Sequence, residues 1–190
     1  MKRILENIRK SFNPSKEEFS AIVRAFSIVE IEKNDYFLKA GEICHSVGFI
    51  EKGSMRLFFN SDKKEACSDF FFENSFIGSF ASFLSQQPSM VNISAIENCE
   101  LLVLTHEKVM ELIQQYPSVR NLADAILREQ FIRAEKREQS LVLLPPEERF
   151  HKILEEHPKL FKRVPLHYVA SYLAITPETL SRYRNKKASE

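Results

Sequence analysis

The stretch VPLHYVASYLAITPETLSRYRNKK, residues 164–187, reads as two short helices joined by a tight turn. Pro165 suits a helix's first turn, where its missing N–H has no intrahelical partner to lose. From there Val169, Ala170 and Leu173 recur three or four residues apart and share one face, and Ala170 is small enough to admit a close neighbour. Thr176 can cap a new helix and Pro177 can open it, so the first helix is predicted to stop near Ala174 and the second to start near Thr176. Leu180 and Tyr183 are spaced to pack back on the first helix. Glu178, Ser181, Arg182 and Asn185 are left pointing outward, and each can hydrogen-bond a base edge or a phosphate. This is the helix-turn-helix pattern, whose second helix enters the DNA major groove. Ala174 stands where such turns usually carry Gly, and a left-handed backbone there costs Ala about 1 kcal/mol. A helical hairpin of an ordinary core would share the apolar spacing. It would not explain why residues 159–190 hold seven Lys or Arg against two acids.

Outside this stretch the composition is that of a globular protein: 190 residues, 44% hydrophobic and 28% charged, with a net charge of +1. The total charge decides nothing, whereas a basic excess gathered at one end attracts phosphate. No apolar run approaches the ~20 residues that span a bilayer, and the charged, amphipathic start MKRILENIRK lacks a secretory signal's apolar core, so a cytoplasmic location without membrane contact is expected. Cys44, Cys67 and Cys99 are scattered, odd in number and unpaired in spacing, the pattern of small buried apolar residues in a reducing compartment. The five histidines form no HxxxH or HExxH arrangement, and neither a metal site nor a cofactor is expected.

Residues 2–28 have helical periodicity in two pieces, broken near Asn13-Pro14. Ser15 and Glu18 make a capping box ahead of the apolar face Phe19, Ile22, Val23 and Phe26. From Val29 to about Thr105 the chain turns to short apolar stretches, VEIE, YFL, VGFI, MRLFF, DFFF, NISAI and LLVL, separated by turn residues. All four glycines fall here, where bends between short strands are expected to need them. Residues 60–64, NSDKK, are predicted to form a hairpin turn. The segment is a compact antiparallel barrel or roll, and Phe70, Phe71 and Phe72 belong to its filling.

After His106 the period is helical. One helix is predicted over Glu107 to Tyr116 and a second from Pro117 to about Leu141, without internal Gly or Pro. Val119, Leu122, Ala123, Ile126 and Leu127, continued by Phe131 and Ala134, make an apolar stripe whose simplest partner is its own copy in a dimer. Packing on its own roll is the other way to cover it. Pro145-Pro146 forbids a continuous helix and marks a hinge. The expected class is α+β, with a roll and amino-terminal helices over 1–116, a dimerisation helix and hinge over 117–144, and a helix-turn-helix domain over 145–190.

This order of parts resembles the Crp/Fnr transcription regulators, built on a cyclic-nucleotide-binding-type β-roll. The resemblance covers nearly the whole chain. It is carried by GEICHSVGFIEKG at residues 41–53, similar to the roll's two-glycine signature, by Phe76-Ile77-Gly78, and by Pro177-Glu178-Thr179-Leu180-Ser181-Arg182, similar to the family's recognition helix. The segments Glu147-Glu148-Arg149-Phe150 and Val169-Ala170-Ser171-Tyr172-Leu173 resemble a subgroup common in the Bacteroidetes branch of bacteria. The resemblance implies a homodimer on double-stranded DNA at an imperfect palindrome, with RNA polymerase as a further partner. Members that bind cyclic AMP place a Glu directly after the Gly of FxG and an Arg further on. Here Ser79 follows Gly78, and residues 86–92 contain no cation, so a cyclic phosphate would lie there without a paired charge. The cysteines that hold an iron–sulfur cluster in the oxygen-sensing branch are also absent before Cys44.

Arg56, Ser79, Ser82, Ser89 and Asn92 lie near the expected pocket. They either receive an unknown small-molecule effector or are solvated loop residues. In the DNA-facing set, Glu178 would accept from cytosine, Arg182 would fork onto guanine, and Ser181 and Asn185 would touch a base edge or the backbone. Arg184, Lys186 and Lys187 would meet phosphates beside the capping Thr176. The competing class is a small-molecule-binding signalling module without specific DNA binding. An enzyme is not indicated, because no nucleophile–base pair, metal motif or Gly-rich phosphate loop is present.

Overall fold

A computed structural model describes residues 14–61 and 64–188. The first of the two predicted amino-terminal helical pieces lies outside the described residues, as does the tip of the 60–64 turn. The second piece is helix α1 (Lys16–Ala25), and its capping box is formed: Glu18 N–H donates to Ser15 Oγ (3.1 Å) and Ser15 N–H to Glu18 Oε2 (2.7 Å).

Eight strands follow in two four-stranded sheets. In chain order they are β1 (Ser27–Ile31), β2 (Tyr36–Leu38), β3 (Ser46–Lys52), β4 (Met55–Ser61), β5 (Lys64–Phe71), β6 (Phe76–Ile77), β7 (Asn92–Ala95) and β8 (Cys99–Thr105). One sheet runs β1-β8-β3-β6 and the other β2-β7-β4-β5, which leaves β5 as an edge. Antiparallel register sets Val29 opposite Leu101 and Phe49 opposite Leu102. Ile50, Met55, Phe71, Ile77, Ile93 and Leu101 form the buried core of the roll. Phe70 and Phe71 are buried and Phe72 half-buried, in keeping with their reading as filling. Cys44, Cys67 and Cys99 are buried and no disulfide joins them, and burial pushes the Cys44 thiol up.

The glycines divide in two. Gly53 needs its positive φ of 97°, and a Cβ there would come within 2.6 Å of the Asn98 carbonyl. Gly41, at φ 92°, also lies in a turn. Gly48 corrects the expectation of four bends. It sits inside β3, where the side chain of Ile77 would be 3.1 Å from an added Cβ, so close packing is what requires it.

A short helix absent from the sequence reading, α2 (Phe80–Ser85), interrupts the strands. After β8, α3 (His106–Gln115) is capped by the Thr105 hydroxyl, and α4 (Pro117–Leu143) runs for 27 residues, ~40 Å at 1.5 Å per residue. Ile22, Phe49, Leu102, Leu112 and Val119 join α1, β3, β8, α3 and the start of α4 in a second cluster. Farther along α4 the stripe surfaces at Phe131, which is 71% exposed, and Ile132 beside it, outside the stripe, is 51% exposed. The helix breaks before Pro145-Pro146, and α5 (Pro146–Glu156) follows the break directly. A second unread element, α6 (Leu160–Arg163), precedes α7 (Leu166–Tyr172) and α8 (Pro177–Ala188).

Contacts divide the chain into two units. The first takes the chain up to Leu57 together with Phe70–Gln130, and the second takes Phe58–Asp69 together with the chain from Phe131 onward. The second unit has its own core of Phe150, Ile153, Leu160, Val164, Val169, Leu173 and Leu180. Phe150 stands at its centre, with the Phe161 ring 5.8 Å and the Tyr183 ring 5.7 Å away. Tyr183 thus has a ring partner on α5, which its spacing toward the first helix of the pair does not reveal.

Candidate nucleic-acid interface

The turn between α7 and α8 is built from main-chain bonds. Ala174 N–H donates to Ser171 O and Ile175 N–H to Ala170 O, both at 3.0 Å, with Ala174 at φ 52°. That is a Schellman closure whose left-handed residue is Ala instead of Gly. Thr176 caps α8: its Oγ1 accepts from the Thr179 N–H at 3.2 Å. Glu178 follows in the first turn, where its own backbone N–H and then the Thr176 hydroxyl hold its carboxyl below the usual range.

Leu180 is buried and Tyr183 half-buried, while Thr176, Glu178, Ser181, Arg182, Arg184, Asn185, Lys186 and Lys187 are all exposed. Glu178, Ser181, Arg182 and Asn185 sit at the three- and four-residue spacing of one helix face. Two cations have local partners. Arg182 lies 5.7 Å from the Tyr183 ring, and Lys186 Nζ pairs with Glu147 Oε1 at 2.8 Å. That bond, more than any other contact, holds the Glu147 carboxyl below its ordinary range. A sequence reading sees no such pair, because 39 residues separate the partners.

Four further features of this unit were not read from sequence. Ser171 of α7 reaches the edge strand β5: its hydroxyl accepts from Cys67 N–H (3.0 Å) and donates to Glu65 O (2.9 Å). Arg133 of α4 forks onto Asp69, with Nε–Oδ2 at 2.5 Å and Nη2–Oδ1 at 2.6 Å. One turn later Arg137 donates to the Tyr172 carbonyl and lies 3.7 Å over the Tyr172 ring, and burial is the main cause that lowers its guanidinium pKa and raises that of the phenol. Arg149 is buried in α5 and among the described residues donates only to carbonyls. Its place beside Phe150 and four residues before Ile153, on the apolar face of α5, was the available signal.

In the roll, the five residues named for an effector fall into two groups. Ser79, Ser82 and Ser89 gather around α2: Ser89 Oγ donates to Ser79 Oγ (3.0 Å), and Ser82 Oγ accepts from Cys44 N–H (3.0 Å) and donates to Gln87 O (2.5 Å). Arg56 and Asn92 have other partners. Arg56 alternates with the core residues Met55 and Leu57, so it faces away from the core, and its Nε donates to Ser94 Oγ at 3.2 Å. Asn92 Oδ1 accepts from Ala40 N–H at 3.0 Å. All five are buried, which corrects the reading of them as solvated loop residues.

Residues 28–116 match the cyclic nucleotide-binding domain family. The residues at the expected pocket differ from those that the resemblance implies for a cyclic-AMP binder. Ser79, where the resemblance places a ribose-binding Glu, is hydrogen-bonded to Ser89, which lies in the stretch that lacks a phosphate-pairing cation. No curated protein matches the sequence. Solved structures do match the fold. FixK2 of Bradyrhizobium japonicum superposes with a TM-score of 0.76 at 16% identity, over 86% of this chain and 85% of its own. CLP of Xanthomonas campestris, a c-di-GMP-responsive global regulator, gives 0.73 at 16% identity, over 91% of each chain. A Eubacterium rectale protein assigned to the Crp/Fnr family gives 0.73 at 15% identity, over 93% of this chain and 85% of its own. The α+β fold is thus that of the Crp/Fnr transcription regulators. No helix among the described residues is long and apolar enough to cross a membrane.

Proposed function

We propose that the chain is a homodimeric, sequence-specific DNA-binding transcription regulator of the Crp/Fnr type, acting in the cytoplasm and not governed by cyclic AMP in the usual manner. In this reading residues 1–116 are the sensor, 117–144 the dimerisation helix and hinge, and 145–190 the DNA reader. The observation that carries it is the outward face of α8, where Glu178, Ser181, Arg182 and Asn185 stand exposed together while Leu180 is buried behind them. A Glu, an Arg and an Asn on one exposed helix face offer an acceptor for cytosine, a fork for guanine and an amide for a base edge. Arg184, Lys186 and Lys187 supply the phosphate contacts and the salt dependence, and Thr176 fixes the helix start beside the backbone.

The exposed Phe131 and Ile132 of α4 support the dimer, since apolar side chains on a long helix gain most from a second copy of the same face. A two-fold axis would set two recognition helices in successive major grooves ~34 Å apart, which makes the operator an imperfect palindrome. RNA polymerase is the further partner that this reading implies. Of the effector set, Ser79, Ser82 and Ser89 spend their hydroxyls on one another or on main chain. A ligand there would have to displace those bonds. Selection of bound sequences from random duplex DNA, with and without a metabolite panel, tests the reading. Enrichment of a palindrome supports it, and a requirement for one compound would identify an effector. A protein that binds a metabolite tightly and enriches no sequence is the ligand-binding signalling module instead.

A further inference from the structure

Two helices of the second unit end close to one another in contact terms, and one side chain serves both ends. Leu144 follows the last residue of α4, and Leu173 is the C-cap of α7. The carbonyls at a helix C-terminus have no intrahelical donor and carry its negative partial charge. Arg149 supplies donors to both. Its Nη1 donates to Leu144 O at 2.8 Å, while Nε and Nη2 fork onto Leu173 O at 3.1 and 2.9 Å. The residue is 8% exposed, and no carboxylate is among its hydrogen-bond partners in the described residues. Two helix ends compensate this buried cation where an acid would ordinarily be required.

The placement matters because of what comes next in the chain. Leu173 immediately precedes Ala174, the left-handed residue that turns the chain into α8. A guanidinium anchored at the end of α4 and holding the carbonyl at that turn fixes where α8 starts relative to the end of the long helix. Lysine could not reproduce the arrangement, since its single ammonium cannot fork one carbonyl while reaching another in a fixed plane.

We infer that Arg149 is a positioning residue for the DNA reader: it sets the offset of α8 from the end of α4, and through the dimer it sets the half-site spacing that the protein accepts. This rests on the DNA-binding function proposed above. A residue with a merely stabilising role would, when replaced, weaken binding to every duplex alike. A positioning residue would relax the discrimination between spacings instead.

The test uses the full chain with R149K and R149Q, and a series of palindromic duplexes whose half-sites are one or two base pairs closer or farther apart. The wild type should lose about tenfold in affinity at each one-base-pair change. R149K should bind random duplex about as well as wild type, yet discriminate between spacings by less than about threefold. A folded, dimeric R149K that keeps the wild-type ratio overturns the inference. So does unfolding of both variants, which would make Arg149 a folding residue. A measurement without DNA separates this from failure of the functional reading. Hydrogen exchange at the Ala174 and Ile175 amides should quicken about tenfold or more in R149K relative to the Leu112 amide of α3, and equal exchange overturns the inference even if no palindrome is ever found.

Discussion

Ala174 offers a sharp thermodynamic test, because its backbone is unfavourable while its side chain touches little. It has φ 52° and is exposed, so replacement changes backbone preference with almost no change in packing. An L-residue in the left-handed region forgoes ~1–2 kcal/mol that Gly does not. Against this, Gly gains freedom in the unfolded chain worth ~0.4–1 kcal/mol. The difference predicts that Ala174→Gly stabilises by about 0.5–1 kcal/mol, or a rise in Tm of about 1–3 °C for a chain of this size. Ala174→Val should act in the opposite sense, because a β-branched residue at positive φ is a true outlier. Tyrosine fluorescence is a fitting probe: the chain has no Trp, and Tyr168, Tyr172 and Tyr183 of its five tyrosines lie in the second unit. A glycine variant that melts at or below the wild-type temperature would refute the strain argument and leave the Schellman bonds from Ala174 and Ile175 as the whole account of the turn.

Arg182→Ala should relax base preference at one position of each half-site by ~1–3 kcal/mol, and Lys187→Ala should weaken all DNA about equally; sequence selection with each variant distinguishes them. Glu147→Gln should raise affinity for all duplexes by about twofold to fivefold, because Lys186 no longer has to leave an ion pair to meet a phosphate. The pH dependence has a definite sign. The Glu147 carboxyl is depressed in the folded, DNA-free protein, so the pair's contribution is present above the unfolded carboxylate value and is lost as pH falls through the lowered one. The gap between wild type and Glu147→Gln in binding titrations should close over that acid range. Phe131→Asp should shift the protein to monomer in light scattering, since two exposed Phe side chains buried in a dimer are worth ~3–6 kcal/mol, about a hundredfold or more in Kd.

The elements legible in the sequence are those specified by neighbours in the chain. Thr176-Pro177 starts α8 and Ser15 with Glu18 starts α1 through bonds spanning three residues, and apolar runs broken by turn residues mark the strands of the roll. What escaped reading depends on partners far apart. Ser171 and Cys67 are 104 residues apart, and Arg149 looks like an ordinary charged helix residue until its two carbonyl partners are placed. Likewise α2, Phe80–Ser85, is too short for periodicity to declare it, and its surroundings make sense only once Ser82 is seen to bind the backbone of Cys44. Gly48 was misread for a related reason. Its need for a missing Cβ comes from Ile77 on a neighbouring strand and not from its own backbone.

The second unit is discontinuous in the chain, and this bears on the order in which the protein can fold as it is made. Phe58–Asp69 leaves the ribosome long before Arg133, Arg137 and Ser171. Until they arrive, β5 is an edge strand whose Cys67 N–H and Glu65 carbonyl lack the Ser171 hydroxyl, and edges in that condition invite pairing with other chains. The first unit can close early, whereas the second cannot be completed until its last helices emerge and return to a hairpin made some seventy residues before Arg133. A fragment beginning at Phe131 would lack that hairpin altogether, so transplanting the second unit into another protein requires carrying Phe58–Asp69 with it.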